Sequence, residues 1–419
     1  LHPRAILARA DTRIAWGAVI AGCLSTAPSV AFDRWVTDDP WPYVYSVWGA
    51  ALLGTALFVF DVAAPAVAQP LRRSTPLLIA MAVSMAFLAW VAASAWWSVS
   101  PAGTPPQAMV LVMVTLTAVW FGCGLTFRQQ VWSLFIALHL LTSVSFVSAL
   151  VLESARYPKD GSWMGVFGNP NTTGPVATLG MVAAIGVMSL KADRSVRVAI
   201  GLCIALDIVV AVRTLSITGW LALAGAVAAV VLVRMATRAR RRRPIRVVVT
   251  TLVTAAVVSI PWSIEFAVSV VSNEATFSGR TLIWDFVRES VGDRWLLGFG
   301  WSSFWDEPSN LAPLLERAQR ERPEWVDDLA AINSAHSSFM EALLLLGVIG
   351  LVLLLALVAF SVGRTWWQAL GHPSPAMEWW AAVATFALVV NVTESMIAFN
   401  PLFWLLLVAP GFAAARHAG

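Results

Sequence analysis

The 419-residue chain is 58% hydrophobic and 12% charged, whereas an ordinary soluble domain carries roughly 25% charged residues. This balance excludes a string of water-soluble domains and describes an integral membrane protein. The formal net charge of +4 does not indicate nucleic acid as a partner, because the basic residues lie mostly in short segments between apolar runs, where lysine and arginine fix topology.

Apolar runs of spanning length recur along the whole chain, each near the ~20 residues needed to cross about 30 Å of hydrocarbon. They predict an all-α membrane protein, one polytopic domain over 1–419, with about 12 transmembrane helices. The spans fall near 14–32, 43–69, 76–98, 107–126, 131–152, 172–190, 198–213, 218–235, 245–262, 337–360, 379–397 and 400–415. The first follows Arg4, Arg9 and Arg13 but lacks a small-residue cleavage site, so it reads as a transmembrane helix rather than a signal peptide. Cys23, Cys123 and Cys203 each lie within an apolar run without paired spacing, so neither a disulfide framework nor a zinc signature is expected.

An even number of spans puts both termini on one side. With the amino terminus in the cytoplasm, the inner segments collect Arg72, Arg73, Arg128, Lys191, Arg194, Arg197, the block from Arg234 to Arg246, Arg364 and Arg416. The short outer loops hold little beyond Arg34, Arg156, Lys159 and Arg213, in agreement with the positive-inside bias. The arginine-rich run from Arg238 to Arg243 is a topology anchor or a site for anionic lipid or phosphate.

One large outer loop, 263–336, is inserted between the ninth and tenth spans. Trp284, Trp295, Trp301, Trp305 and Trp325 give it apolar surface for packing on the membrane face. A short amphipathic helix is predicted over Thr281–Ser290, with Leu282, Phe286 and Glu289 on one face and Trp284 with Arg288 on another. Leu311–Asp328 predicts a second helix at the water surface.

Polar chemistry concentrates in and around this loop. Arg280 follows Ser278-Gly279 at a helix start, where free amides and a forked guanidinium favour an anion; a surface arginine capping the loop is the alternative. Arg213, at the tip of a tight hairpin, either faces a polar cavity or snorkels to headgroups. His336 lies at the outer mouth of the tenth span, where an imidazole can take a proton from a hydroxyl. Asp61, His139, Asp207, Glu341 and Glu394 lie within spans, where ionisable groups are costly and are functional candidates by default. Glu394 lies near the level of His336, whereas five helical positions set Glu341 about 140° away from His336. The run Phe167-Gly168-Asn169-Pro170-Asn171 opens the sixth span, which Asn171 or Thr172 would cap; sugar hydrogen bonding is an added possibility. No paired ligands suggest a metal, and Gly298-Phe299-Gly300 reads as a tight turn rather than a nucleotide fingerprint.

Taken in order, Gly165-Val166-Phe167-Gly168-Asn169-Pro170-Asn171, Ser216-Ile217-Thr218-Gly219-Trp220, Ser278-Gly279-Arg280 with Trp284, Gly298-Phe299-Gly300-Trp301-Ser302-Ser303-Phe304, and His336 with Gly347-Val348-Ile349-Gly350-Leu351 resemble the O-antigen ligase and polymerase superfamily. The resemblance covers about Gly165 to Pro401. Phe277 to Trp284 and Thr393-Glu394-Ser395 look more like the exopolysaccharide polymerase branch.

The resemblance implies a GT-C-type, metal-independent, inverting glycosyltransferase of the bacterial cytoplasmic (inner) membrane, with its site facing the periplasm and no cofactor. Its donor would be an undecaprenyl-pyrophosphate-linked oligosaccharide and its acceptor a glycan or glycolipid, most simply a second lipid-linked repeat of a surface polysaccharide or exopolysaccharide. The alternatives are an O-antigen ligase acting on lipid A core or another terminal acceptor, and a lipid-linked glycan flippase, against which the absence of an internal repeat argues. By the same resemblance the pyrophosphate arginine maps onto Arg280 and the histidine onto His336. The family's hairpin arginine falls on Ile217, so Arg213, one turn earlier, would substitute. Glu394 is a second catalytic candidate, and Asn169, Asn171, Trp284 and Trp301 are possible glycan or acceptor contacts.

Overall fold

The computed structural model describes residues 3–25, 41–63, 74–190, 193–238, 242–258, 280–305, 307–321, 326 and 332–416. Arg72, Arg73, Lys191, Phe277 to Gly279 and Trp325 lie outside them. Among the described residues the protein is a helical bundle without strands, apart from an isolated bridge between Arg156 and Trp163. A helix stands at each expected span: α1 (Pro3–Ser25), α2 (Trp41–Ala63), α3 (Thr75–Ala93), α4 (Thr104–Val119), α5 (Phe127–Val151), α6 (Pro170–Met188), α7 (Arg194–Arg213), α8 (Ile217–Arg238) and α9 (Arg242–Val258). The loop carries α10 (Arg280–Val291) and α11 (Pro308–Glu321). Beyond it come α12 (Ser338–Gly371), α13 (Pro375–Thr393), the single turn α14 (Met396–Phe399) and α15 (Pro401–Arg416). Among the described residues, eight helices are by length and composition able to cross a membrane, α3 to α8, α12 and α13, while α1, α2 and α15 contain shorter apolar stretches.

Several boundaries differ from expectation, each for a local reason. α6 starts at Pro170 because Asn169, not Asn171 or Thr172, caps it; the Asn169 side chain accepts from the Asn171 amide at 2.8 Å. Proline suits the first helical position, where its missing N–H would have no partner anyway. α12 runs on to Gly371, and α13 begins at Pro375 behind a Ser374 cap that accepts from the Met377 amide. Trp366, Leu370, Trp379 and Trp380 are buried there, so core packing rather than hydropathy sets these ends. α15 is short, yet Leu402 to Ala415 are all buried, which makes it a central core element.

Neighbouring helices run antiparallel and define two ends. Gly174 of α6 lies against Ser216 and Thr214, and Gly180 against Asp207 of α7. Gly225 of α8 faces Thr385 and Val389 of α13, and nine positions on Arg234 reaches Glu378 at 3.0 Å. Extended along the helices, these registers carry Asn169, Arg213, Ile217 and Glu394 to one end. The other end gathers Arg128, Arg194, Arg234, Arg246, Arg364 and Arg416. There Arg13 donates to the Gly124 carbonyl and to Asp61 at 2.7 Å, and Trp120 also donates to Asp61. Asp61 thus ties α1 and α2 to the π-turn Trp120–Gly124.

α12 is not one continuous helix, as the tenth span was expected to be. At Gly347 the backbone turns to φ 67° and ψ −170°, a region that glycine tolerates and side chains do not. The break frees carbonyls that an apolar bundle cannot hydrate, and the loop supplies their partners. The Phe299 and Gly300 amides donate to the Leu344 and Leu345 carbonyls, and the Val348 amide donates to that of Trp295. From α3 and the turn after it, the Trp90 indole donates to the Leu346 carbonyl and the Trp97 indole to that of Leu297. A Cβ on Gly347 would overlap the Leu296 carbonyl, and one on Gly298 the Leu345 backbone.

Gly347→Ala combines that overlap with an unfavourable φ, so it is expected to cost about 3 kcal/mol or more. The readout is the thermal unfolding midpoint of purified protein in detergent; an unchanged midpoint would show that the break does not anchor the loop.

Candidate active site

The mouth of α12 is joined to the end of α13 by side-chain and backbone bonds. The Ser338 amide donates to the Glu394 carbonyl, and its hydroxyl to Asn391 at 2.7 Å. The Ser337 amide donates to the Ser395 hydroxyl at 3.0 Å, and the Ile397 amide to the Ser338 hydroxyl. His336 stands just before this junction with φ 48°, a left-handed conformation that costs a non-glycine residue roughly 1 kcal/mol or more. Its neighbours hold it there. The Ala335 amide donates to Glu341 and the Ala335 carbonyl accepts from Trp284 at 2.8 Å.

His336 Nδ1 lies 3.1 Å from Glu394 Oε2, the histidine partly exposed and the carboxylate buried. A carboxylate on one ring nitrogen orients the imidazole and leaves the other nitrogen to face a reacting group. The two catalytic candidates therefore form a pair.

Glu341, which the helical angle set apart from His336, belongs to the same cluster. That angle assumed a helix through His336, whereas α12 begins at Ser338 and the preceding turn folds back. The buried Glu341 carboxylate accepts from the Trp305 indole at 2.6 Å, the Ala335 amide at 2.7 Å and the Ser395 hydroxyl at 3.0 Å. It clamps the loop, the His336 turn and the α13 end together. The visible signal was its place five residues after His336 in an otherwise apolar helix.

The loop helix α10 buries Ile283, Trp284, Phe286, Val287 and Val291, so Trp284 lies on the packed face rather than opposite it. Trp301 is also buried, its amide donating to Ser94 and its carbonyl accepting from Thr104. Both side chains are buried, and the Trp284 indole is bonded to the Ala335 carbonyl. Arg280 opens α10; its side chain lies outside the described residues.

The second part of this end is the α7–α8 hairpin. Arg213 is exposed at the last turn of α7, its guanidinium 5.2 Å from the Trp163 ring centroid. The Trp163 amide donates to the Arg213 carbonyl, and Leu215 adopts φ 54° to close the turn. Ile217, where the family arginine would fall, is exposed and begins α8. Asn169 is exposed and Asn171 half-buried at the α6 start beside this hairpin. Among the described residues, the hydroxyls of Ser216 and Ser337 are buried without a hydrogen-bond partner, one beside each half of this end.

Deeper in the bundle, His139 Nε2 approaches Asp207 Oδ2 at 2.9 Å, off the line of a hydrogen bond. Asp207 lies six residues before Arg213, about 9 Å along the helix, so this pair is removed from the mouth. Among the described residues no cluster of histidine, cysteine and carboxylate suited to a metal is present.

Residues 200–355 match the family model described as O-antigen ligase. The match includes the hairpin, the loop and His336, and stops short of Glu394. A comparison with curated proteins finds no match.

Glu341→Ala would leave an indole N–H, an amide and a hydroxyl without their acceptor, and is expected to cost about 3 kcal/mol or more. Faster proteolysis within 280–335 and a lower unfolding midpoint are the expected readouts. Loop protection equal to wild type would remove Glu341 as the clamp.

Proposed function

On the premise that residues 200–355 belong to the O-antigen ligase family, we propose that the protein is a bacterial inner-membrane glycosyltransferase that polymerises lipid-linked repeat units of a surface polysaccharide. The donor is a glycan on undecaprenyl pyrophosphate, and the acceptor hydroxyl belongs to another lipid-linked repeat. The family match carries this reading. The pairing of His336 with Glu394 at the end of the bundle away from the cytoplasmic-type arginines supports it. That arginine distribution also favours about 12 crossings with both termini in the cytoplasm and the site on the outer face.

The chemistry follows from the charges. Pyrophosphate leaves readily, and the enzyme's main task is to stabilise its growing negative charge where water is scarce. Arg280, at the amino end of α10, and Arg213, on the hairpin, would supply forked donors for it. With His336 Nδ1–H donating to the Glu394 carboxylate, Nε2 takes the acceptor proton, and Glu394 steadies the imidazolium that forms. The hydroxyl oxygen attacks the anomeric carbon as the bond to the pyrophosphate oxygen breaks, inverting the centre in one displacement without a metal. Asn169 and Asn171, beside the hairpin, are the proposed polar contacts to sugar.

Purified protein in lipid, given a synthetic undecaprenyl-pyrophosphate oligosaccharide alone, is expected to produce a ladder of extended glycans. Transfer only after lipid A core is added would make the protein a ligase, and no transfer to any acceptor would overturn the enzyme reading. His336→Ala is expected to lower turnover by about 10²–10⁴-fold, and Arg280→Ala and Arg213→Ala by about 10²–10³-fold each, with unfolding midpoints kept. Near-normal turnover in any of these variants removes that residue from the mechanism.

A further inference from the structure

A groove of about 300 Å³ opens between α6, α8 and α13 at the arginine-rich end, away from the proposed active site. Its walls are apolar, formed by Val182, Ile185, Val227, Val230 and Ala382. Ile185, Val227 and Val231 are exposed, so the groove opens towards the surroundings of the bundle rather than its core. Its floor is rigid. Gly186 packs against the Trp379 ring so closely that a Cβ would overlap it, and the Trp379 indole donates to the Val182 carbonyl at 3.0 Å.

The polar rim is confined to one end, where Ser189, Arg234 and Glu378 line the groove. Arg234 uses its Nε to bind Glu378 at 3.0 Å, and its side chain remains 56% exposed. Glu378 fixes the stem of the guanidinium, and the two terminal nitrogens retain the fork that suits phosphate oxygens. Arg238 follows one turn later on the same face of α8 and is exposed. Arg194, Arg197 and Arg243 are exposed at the same end of the bundle; among the described residues of α7, α13 and their caps, Asp193 and Glu378 are the acids at this end, Asp207 and Glu394 lying further towards the opposite end.

An apolar slot that ends in a pre-set guanidinium fork within a positive field matches an amphiphile with a hydrocarbon chain and an anionic phosphate head. We propose that this groove is a specific site for an anionic phosphoglyceride of the inner leaflet, with an acyl chain between α6, α8 and α13 and the phosphate on Arg234 and Arg238. The site is separate from glycan transfer. It accounts for the arginine cluster at the end of α8 beyond its part in topology.

The test is native mass spectrometry of the full-length protein, exchanged into matched phosphatidylglycerol, phosphatidylethanolamine or phosphatidylcholine of one acyl composition, or given inorganic phosphate. Retention of one phosphatidylglycerol is expected, with Arg234→Gln/Arg238→Gln lowering that retention by roughly thirtyfold, as two cations at a charged surface would. Val227→Trp, which narrows the slot from its open side, is expected to lower retention with both arginines intact. Equal retention of the three lipids, no loss in the double arginine variant, or retention of phosphate without lipid would each overturn the proposal. Unfolding midpoints of both variants, measured without added lipid, are expected to match wild type; if the Val227→Trp protein is unstable, the arginine variant alone decides.

Discussion

Backbone polar groups released inside an apolar bundle must find partners in the protein, and the break at Gly347 makes this demand at the centre of the structure. The demand is met from two directions. The Phe299 and Gly300 amides come from the loop, and the Trp90 indole comes from α3. The loop is therefore no loose insertion on a finished bundle; it completes the hydrogen bonding of a helix that would otherwise carry exposed carbonyls. The glycines at 298, 300 and 347 belong to this one arrangement, since each takes a positive φ and at each a Cβ would meet backbone or a side chain across the contact.

From that anchorage the candidate site follows in steps. With the loop seated on α12, the Trp305 indole reaches Glu341 and the Trp284 indole reaches the Ala335 carbonyl. Those bonds hold the residues before α12 in the tight turn that gives His336 its unusual φ, and the serines at 337 and 338 join the turn to the end of α13. Only then does Glu394 lie within reach of the imidazole. A buried carboxylate that accepts three donors also settles a general question about polar groups in a membrane protein: Glu341 is tolerated because its hydrogen bonds are made, and it gives the surrounding turn a defined shape.

Much of this was legible in the sequence. Apolar runs of spanning length marked the helices, and the rarity of charge within them picked out Asp61, His139, Asp207, Glu341 and Glu394, all of which have charged or hydrogen-bonding partners. His336 and Glu394 were matched by level. What escaped were properties that depend on contacts distant in sequence. Hydropathy cannot see the break at Gly347, because the residues on either side are equally apolar. Helical angle misjudged Glu341 because it presumed a helix where the chain turns. Asn169 was overlooked as a cap because Pro170, which cannot donate, was read as part of the preceding turn. The buried face of α10 was misjudged because Trp284 is satisfied by a carbonyl 51 residues away.

The break in α12 also divides the work of that helix by length. From Val348 to Gly371 the helix has about 24 residues and rises ~36 Å, enough by itself to cross about 30 Å of hydrocarbon. The nine residues from Ser338 to Leu346 are thus surplus to the crossing. Released from spanning, they take the direction set by their bonds to the loop, to α13 and to Trp90, while the rest of the helix is long enough for the bilayer. A long helix here acts as two parts, a fixed post and a separately aimed tip, and His336 and its clamp belong to the tip.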